Sequence, residues 1–426
     1  LTASDAAGED QLGASVAYIS DTAVAGAPGV SMGAGAIYVF SFYSTAWTQY
    51  WRATATDGSM GDSLGASAAA LGAGGAQWVV VGAYGDETST GAVYVFTGIG
   101  NTWIYIVEAK LTASDGEAGD YLGISVGRYG GSAAVAGASN ATGGGAAYVF
   151  TYADSTWAQS EKLTASDAES GDAFGTSVAG LSASEILVGA YNADSYQGAA
   201  YVFSQGSATG NSGKSTWSQA ARLAASDGAE GDYFGASVAA LSSSVALVTA
   251  SPCNSSSTSE NGTAYLFTSS AGSWAQAAEL RASGGAASDC FGCSAAGAAQ
   301  GGGWAAIGSI FDDDGGDNSG SAYIFSSTST EAPTLAPTEA PTLAPTSTPT
   351  LAPTEAPTLA PTEAPTLAPT STPTLAPTEA PTLAPTEAPT SIDGAVHNTH
   401  KSNIQFATIM PAYTYMGIYT YRVSYL

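Results

Sequence analysis

Carboxylates recur in this chain at a spacing that could do chemistry. Asp5 and Asp10, Asp57 and Asp62, Asp115 and Asp120, Asp167 and Asp172, and Asp227 and Asp232 each stand five residues apart, and a sixth copy keeps only Asp289. Such carboxylates are hard oxygen ligands for a cation such as calcium. The competing reading is structural. An Asp side chain accepts backbone N–H groups in an Asx-type turn, and a feature present in every repeat fits structure better than function. The densest acidic run is Asp312, Asp313, Asp314 and Asp317, around Gly315 and Gly316. Asp312, Asp314 and Asp317 are the candidate calcium ligands, with a solvated acidic loop as the plain alternative. The only histidines are His397 and His400, near the C-terminus. Ser-His-Asp or Cys-His catalysis and the usual zinc sites are therefore not expected in the rest of the chain. Cys290 and Cys293 form a CxxC, but at a repeated strand-start position rather than a helix N-terminus, which argues against redox chemistry. Two acids can suffice for glycoside hydrolysis, which leaves a carbohydrate-active enzyme as a minor reading. The expectation is a protein that is not an enzyme.

The elements that must position these residues follow from internal repetition. Leu-Thr-Ala-Ser-Asp occurs at Leu1, Leu111 and Leu163, with Ala-Ala-Ser-Asp at 224–227 as a variant. A Leu-Gly or Phe-Gly pair follows at Leu12, Leu64, Leu122, Phe174, Phe234 and Phe291. Next comes an apolar run with its tyrosine at Tyr38, Tyr94, Tyr148, Tyr201, Tyr265 or Tyr323, then a tryptophan at Trp47, Trp103, Trp157, Trp217 or Trp274. Each unit reads as four short strands separated by Gly, Ser, Asp and Asn clusters, with no helical period. In the fifth unit they are 235–241, 245–251, 263–268 and 274–281. The first strand carries Gly, Ala and Ser, which suits a crowded axis; later strands carry Tyr, Phe and Trp, which fill wider space. That gradient predicts an all-β fold, a β-propeller of four-stranded blades over residues 1–328.

The Phe-Gly pair followed one strand later by Gly-Ala-Pro resembles the FG-GAP signature of integrin α-chain-like propellers. Gly26-Ala27-Pro28 is complete; Gly82-Ala83-Tyr84, Gly137-Ala138-Ser139 and Gly189-Ala190-Tyr191 are close; Thr249-Ala250-Ser251 and Gly308-Ser309-Ile310 are weaker. The resemblance implies extracellular recognition, of adhesion type, by a β-propeller. Family propellers usually have seven blades against the six units here, and a missing upstream blade is the simplest account. The family's calcium loops do not carry over: 19–22 and 181–185, where they would lie, lack the DxDxDG carboxylates.

Nine basic against 36 acidic residues give a formal net charge of −27, which disfavours nucleic acid and anionic lipid. Partners are expected to be proteins or glycans of a cell surface or matrix, with no transmembrane segment in this chain. Residues 329–390 are a Pro/Thr-rich low-complexity linker with a proline at nearly every fourth position from Pro333 to Pro389. Such a segment lacks donors and apolar faces, and as an extended stalk it would reach on the order of 190 Å at ~3.1 Å per residue. It is either an O-glycosylated stalk or a bare spacer. The tail, 391–426, alternates tyrosines from Tyr413 to Tyr425; it is either a β-strand docked on an open sheet edge or a disordered end. Sequons mark Asn140, Asn254 and Asn261 for N-glycosylation. Loops between second and third strands should share a face with blade-to-blade loops, because antiparallel strands alternate ends. That makes Cys253 and Cys290 neighbours and a disulfide pair, with Cys293 free. The leading expectation is an extracellular or cell-surface binding module on a stalk, with a structural wall or matrix glycoprotein as the alternative.

Overall fold

A computed structural model describes residues 1–328, except 20, 74–75, 99–104, 208–214, 253–260, 287, 299–302, 315 and 317–318, together with residues 417–423. The described residues form six four-stranded antiparallel sheets, each with its strands in sequence order. These are the blades of a β-propeller. In blade 4 the strands are Phe174–Gly180, Glu185–Ala190, Ala199–Gln205 and Trp217–Leu223. The fifth blade comprises Phe234–Ser242, Val245–Ala250, Thr263–Ser270 and Ser273–Leu280, within a residue or two of the sequence reading. The only helical turns among the described residues are Val30–Gly33, Asp86–Ser89 and Ala193–Tyr196.

Burial explains the residue pattern of each strand. The second and third strands lie between two neighbouring blades, so both faces are covered and the runs are continuously apolar. In blade 4, Ile186, Val188, Tyr201 and Phe203 pack toward blade 3 with Val135 and Val149. Leu187, Ala200 and Val202 pack toward blade 5 with Val238 and Val248. The fourth strand is outermost, and its alternating burial, as in Trp217–Leu223, leaves one set of side chains to solvent. Each buried aromatic or branched side chain stabilises the stack by roughly 1.5–3 kcal/mol.

First strands adjoin one another around the axis, and small residues are required there. A Cβ on Gly180 would lie 2.1 Å from the Arg128 carbonyl oxygen of the preceding blade. Apolar clusters join each blade to the next from blade 1 through blade 6. Among the described residues, the cluster on the leading face of blade 1, around Tyr38 and Phe40, draws on that unit and its entry loop, such as Ala3 and Leu12. Val16 in the first strand of blade 1 is 73% exposed, whereas its counterparts Val178 and Val238 are buried.

The Phe-Gly and Gly-Ala motifs meet at the blade junctions. Ser67, Ser125 and Ser177 donate from Oγ to the carbonyl oxygens of Gly123, Gly175 and Gly235, each at 2.8 Å, and Ser15 does so to Gly65 at 2.7 Å. The bond draws the next blade's Phe-Gly turn directly over the Gly of Gly-Ala. Blade 5 departs from the pattern. Thr249 replaces that glycine and bonds Ser237, whose Oγ instead accepts from the Ala295 N–H at 3.0 Å.

Candidate binding face

The loops between second and third strands and the loops between blades share one face. Backbone bonds tie them: the N–H groups of Gly29, Gly85, Asn140, Asn192 and Phe311 donate to the carbonyls of Asp10, Asp62, Asp120, Asp172 and Asp289. The paired carboxylates lie here and divide their work. The second of each pair closes its own turn: Asp10, Asp62, Asp120, Asp172, Asp232 and Asp289 accept the N–H three residues earlier at 2.6–2.8 Å. This is the structural, turn-closing role. Burial pushes Asp62 and Asp289 up, against the N–H groups of Ser59 and Ala286 that hold their charged forms.

The first of each pair does something else. It joins the buried tyrosine of the third strand and a cation from the end of the fourth. In blade 2, Tyr94 donates to Asp57 at 2.8 Å and to Asp86 at 2.5 Å, while Lys110 Nζ lies 2.8 Å and 2.9 Å from the same carboxylates. Blade 3 repeats the motif with Asp115, Tyr148 and Lys162. Blades 1, 4 and 5 pair Arg52 with Asp5, Arg222 with Asp167 and Arg281 with Asp227; Arg222 also binds Asp194. Lys110 and Lys162 further stand 5.4 Å from the ring centroids of Tyr94 and Tyr148, within cation–π range. The hydrogen bond from Lys110 lowers the Asp57 carboxyl, and that from Lys162 lowers Asp115. Burial alone would lower Lys110, but its bonds to Asp57 and Asp86 outweigh this and raise it. Burial pushes the phenols of Tyr148 and Tyr201 up to about 12. These tyrosines stay protonated hydrogen-bond donors near neutral pH.

Above this buried layer the face is acidic and aromatic. Glu87, Asp194 and parts of Asp57, Asp115, Asp167 and Asp227 reach solvent. Among them stand tyrosines absent from the sequence-derived candidates. Tyr84 packs edge-on against Tyr121 at 6.0 Å, and Tyr233 lies between Tyr191 at 6.0 Å and Tyr196 at 5.6 Å. Tyr196 is 49% exposed and Tyr121 36%. Tyr121, Tyr196 and Tyr233 all sit at positive φ, at 61°, 69° and 56°. A left-handed conformation costs a non-glycine residue roughly 1–2 kcal/mol, and here it is a feature of the repeated turn, since Gln11, Ser63, Ala173 and Cys290 adopt it at the position that Tyr121 and Tyr233 hold in their units. The one sequence signal was Tyr at two of the six positions preceding Leu-Gly or Phe-Gly.

The remaining candidates fall as follows. Asp312 is buried and accepts from the Tyr323 hydroxyl at 2.8 Å and the Asp314 N–H at 3.2 Å, the place Asp86 holds toward Tyr94. Asp314 is exposed, and Asp317 lies outside the described residues. Among the described residues, no three His, Cys, Asp or Glu side chains are grouped to hold a metal ion. Cys290 is disulfide-bonded and buried, and Cys293 is a free thiol that burial pushes up. Cys253 and Asn254 lie outside the described residues. Asn140 is exposed, with Nδ2 donating to the Gly119 carbonyl at 2.7 Å. Asn261 is half-buried; its Nδ2 would lie 2.1 Å from a Cβ on Gly285, and its Oδ1 has no hydrogen-bond partner among the described residues. Among the described residues, no helix is long and apolar enough to cross a membrane.

Two solved propellers are similar to this chain. Sqt1 from Chaetomium thermophilum superposes with a TM-score of 0.44 at 14% identity, covering 75% of this chain and 69% of that one. Saccharomyces cerevisiae Sqt1 gives a TM-score of 0.43 at 11% identity, over 75% of this chain and 83% of that one. No curated protein matches. The FG-GAP repeat model matches residues 1–40, 105–150, 157–203, 217–267 and 274–325. It passes over most of the second unit, whose blade nevertheless has the same strands and the same Ser67–Gly123 junction bond. Matched over more than half of its length, the chain belongs to the FG-GAP repeat family.

Proposed function

We propose that this chain is an extracellular binding module that holds a basic segment of a partner protein on its acidic, tyrosine-bearing loop face. The observation that carries this reading is the juxtaposition there of solvent-reaching carboxylates with the exposed Tyr121 and Tyr196 and the half-buried Tyr233. Carboxylates pair with Lys and Arg, and the faces of tyrosine rings add cation–π attraction. A surface of net charge −27 also draws such a segment in at a distance. The test uses an oligo-lysine peptide and a neutral glucan oligosaccharide as probes against the full chain, by calorimetry. The peptide is expected to bind, to weaken as salt rises, and to lose about tenfold in affinity in a Tyr196→Ala/Tyr233→Ala variant, about 1.4 kcal/mol. Binding of the glucan alone would move the ligand class to glycans. Binding of neither probe would return the chain to a structural matrix role.

An extracellular setting permits oxidation, which accords with the disulfide at Cys290. The partner we propose is Cys253. Under denaturing, non-reducing conditions, alkylation should label Cys293 alone, and digestion should yield a linked Cys253–Cys290 peptide. Labelling of Cys253 would contradict the pairing.

A further inference from the structure

We infer that the outer edge of the third strand of blade 6 is a strand-binding site whose occupant is this chain's own C-terminal segment, so that the two ends of residues 329–416 are joined to neighbouring strands of one sheet. Blade 6 is built from Phe291–Ala298, Trp304–Ser309 and Ser321–Thr328, and its fourth strand is Gly417–Val423. That strand pairs antiparallel with Ser321–Thr328 from Ala322↔Val423 to Thr328↔Gly417. The Pro/Thr-rich segment therefore leaves one strand and returns to its immediate neighbour.

The register shows that the slot is specific. Tyr38, Tyr94, Tyr148 and Tyr201 stand opposite Arg52, Lys110, Lys162 and Arg222, and Tyr323 stands opposite Arg422, whereas in blade 5 Tyr265 stands opposite Glu279 with Arg281 two residues on. One step on, Ile37, Val93, Ala147 and Ala200 face Ala53, Leu111, Leu163 and Leu223, as Ala322 faces Val423. The chain has only nine basic residues. Arg422 takes the register position that four of them hold in other blades, beside the one tyrosine whose blade has no cation earlier in sequence. The tail is thus the sixth repeat's displaced fourth strand. Its ladder differs in one respect: it runs without the one-residue bulge found in the other five blades.

The position tolerates insertion. The same hairpin is closed by Ser44–Thr45 in blade 1 and by 206–216 in blade 4. Lengthening a flexible loop is thermodynamically mild, about 0.6 kcal/mol for each doubling. A strand added to an open edge is held chiefly by its backbone ladder, so this one can leave without dismantling the other five blades.

The test is a single cut. A protease site is placed between residues 350 and 370 of the full chain, and the cleaved protein is run on a sizing column in native buffer and in denaturant. The C-terminal fragment is expected to travel with the propeller in native buffer and to separate only in denaturant. A second chain carries Thr420→Pro and Tyr421→Pro, adjacent positions of which one N–H faces the ladder. After cleavage its fragment should separate in native buffer while the near-UV signal of the propeller persists. Arg422→Glu should separate at intermediate denaturant. Separation of the unsubstituted fragment in native buffer would overturn the inference, and so would retention of the proline variant.

Discussion

Gly137→Ala is expected to destabilise the protein by about 3 kcal/mol, enough to lower its melting temperature by on the order of 6–12 °C. A Cβ there would stand 1.7 Å from the Gly175 carbonyl oxygen and 2.5 Å from Ser125 Oγ. The first neighbour is backbone, on a glycine that is itself at φ 92°, so no side-chain rotation relieves the clash. Blade 4 must move away from blade 3, and the 2.8 Å bond from Ser125 to Gly175 is lost. Overpacking costs typically 1–3 kcal/mol and the hydrogen bond about 1 kcal/mol. Blade 5 shows what accommodation looks like: with Thr249 at this position, the following junction uses a different bond, from Ala295 to Ser237. Gly143→Ala is the control. It also has positive φ, but nothing lies within 4 Å of its Cβ, so its cost should be only the roughly 1–2 kcal/mol of left-handed backbone. Equal melting temperatures for the two variants would contradict the junction account.

Lys110→Met should cost about 3 kcal/mol at neutral pH. Asp86 is only 3% exposed and depends on Lys110 for its countercharge, the Tyr94 hydroxyl being its other partner. Removing the ammonium strands a buried carboxylate, which is costlier than the pair was favourable. The signature is in pH. Asp57 is lowered in the folded state by Lys110, so its contribution is present above its unfolded value near 3.9 and fades as pH falls through the lowered one. Lys110 is raised, so its contribution is present below its unfolded value near 10.4 and fades as pH rises above it. The gap between wild type and variant should therefore be widest between about pH 4 and 10 and narrow at both ends. Lys110→Arg should recover most of the loss, since Arg52 and Arg222 serve this position in blades 1 and 4. A gap that stays constant across pH would show that packing of the aliphatic stem, not charge, is what the substitution removes.

The blades were legible because their signals are local and repeated. Phe234-Gly235, Tyr265 and Trp274 mark three of the four strands of blade 5 unaided, and the structure moves their ends by only a residue or two. The turn-closing role of Asp62 and its counterparts was equally local, with donor and acceptor three residues apart. The role of Asp57 was not, because Lys110 lies far along the chain and only the completed sheet brings it back. The clue was present in a chain so poor in cations: Arg52, Lys110, Lys162 and Arg222 sit at one repeat position. The helical turns went unseen because four residues, three of them at positive φ as at Glu87, Thr88 and Ser89, carry no period. The tyrosines of the candidate face share repeat positions, Tyr121 with Tyr233 and Tyr84 with Tyr191, but the residue type there changes from unit to unit, so repetition alone does not single them out. For the tail, alternating tyrosines suggested a strand, but its slot became readable only from Tyr323 opposite Arg422.

Hydrogen exchange of the full chain, with and without the oligo-lysine peptide, tests the central claim most directly. Protection is predicted in the loops 56–63, 84–91, 113–121, 191–197 and 228–233, which carry the carboxylates and tyrosines of one face. Protection confined to the opposite turns, such as 130–132, 182–184 and 243–244, would contradict it.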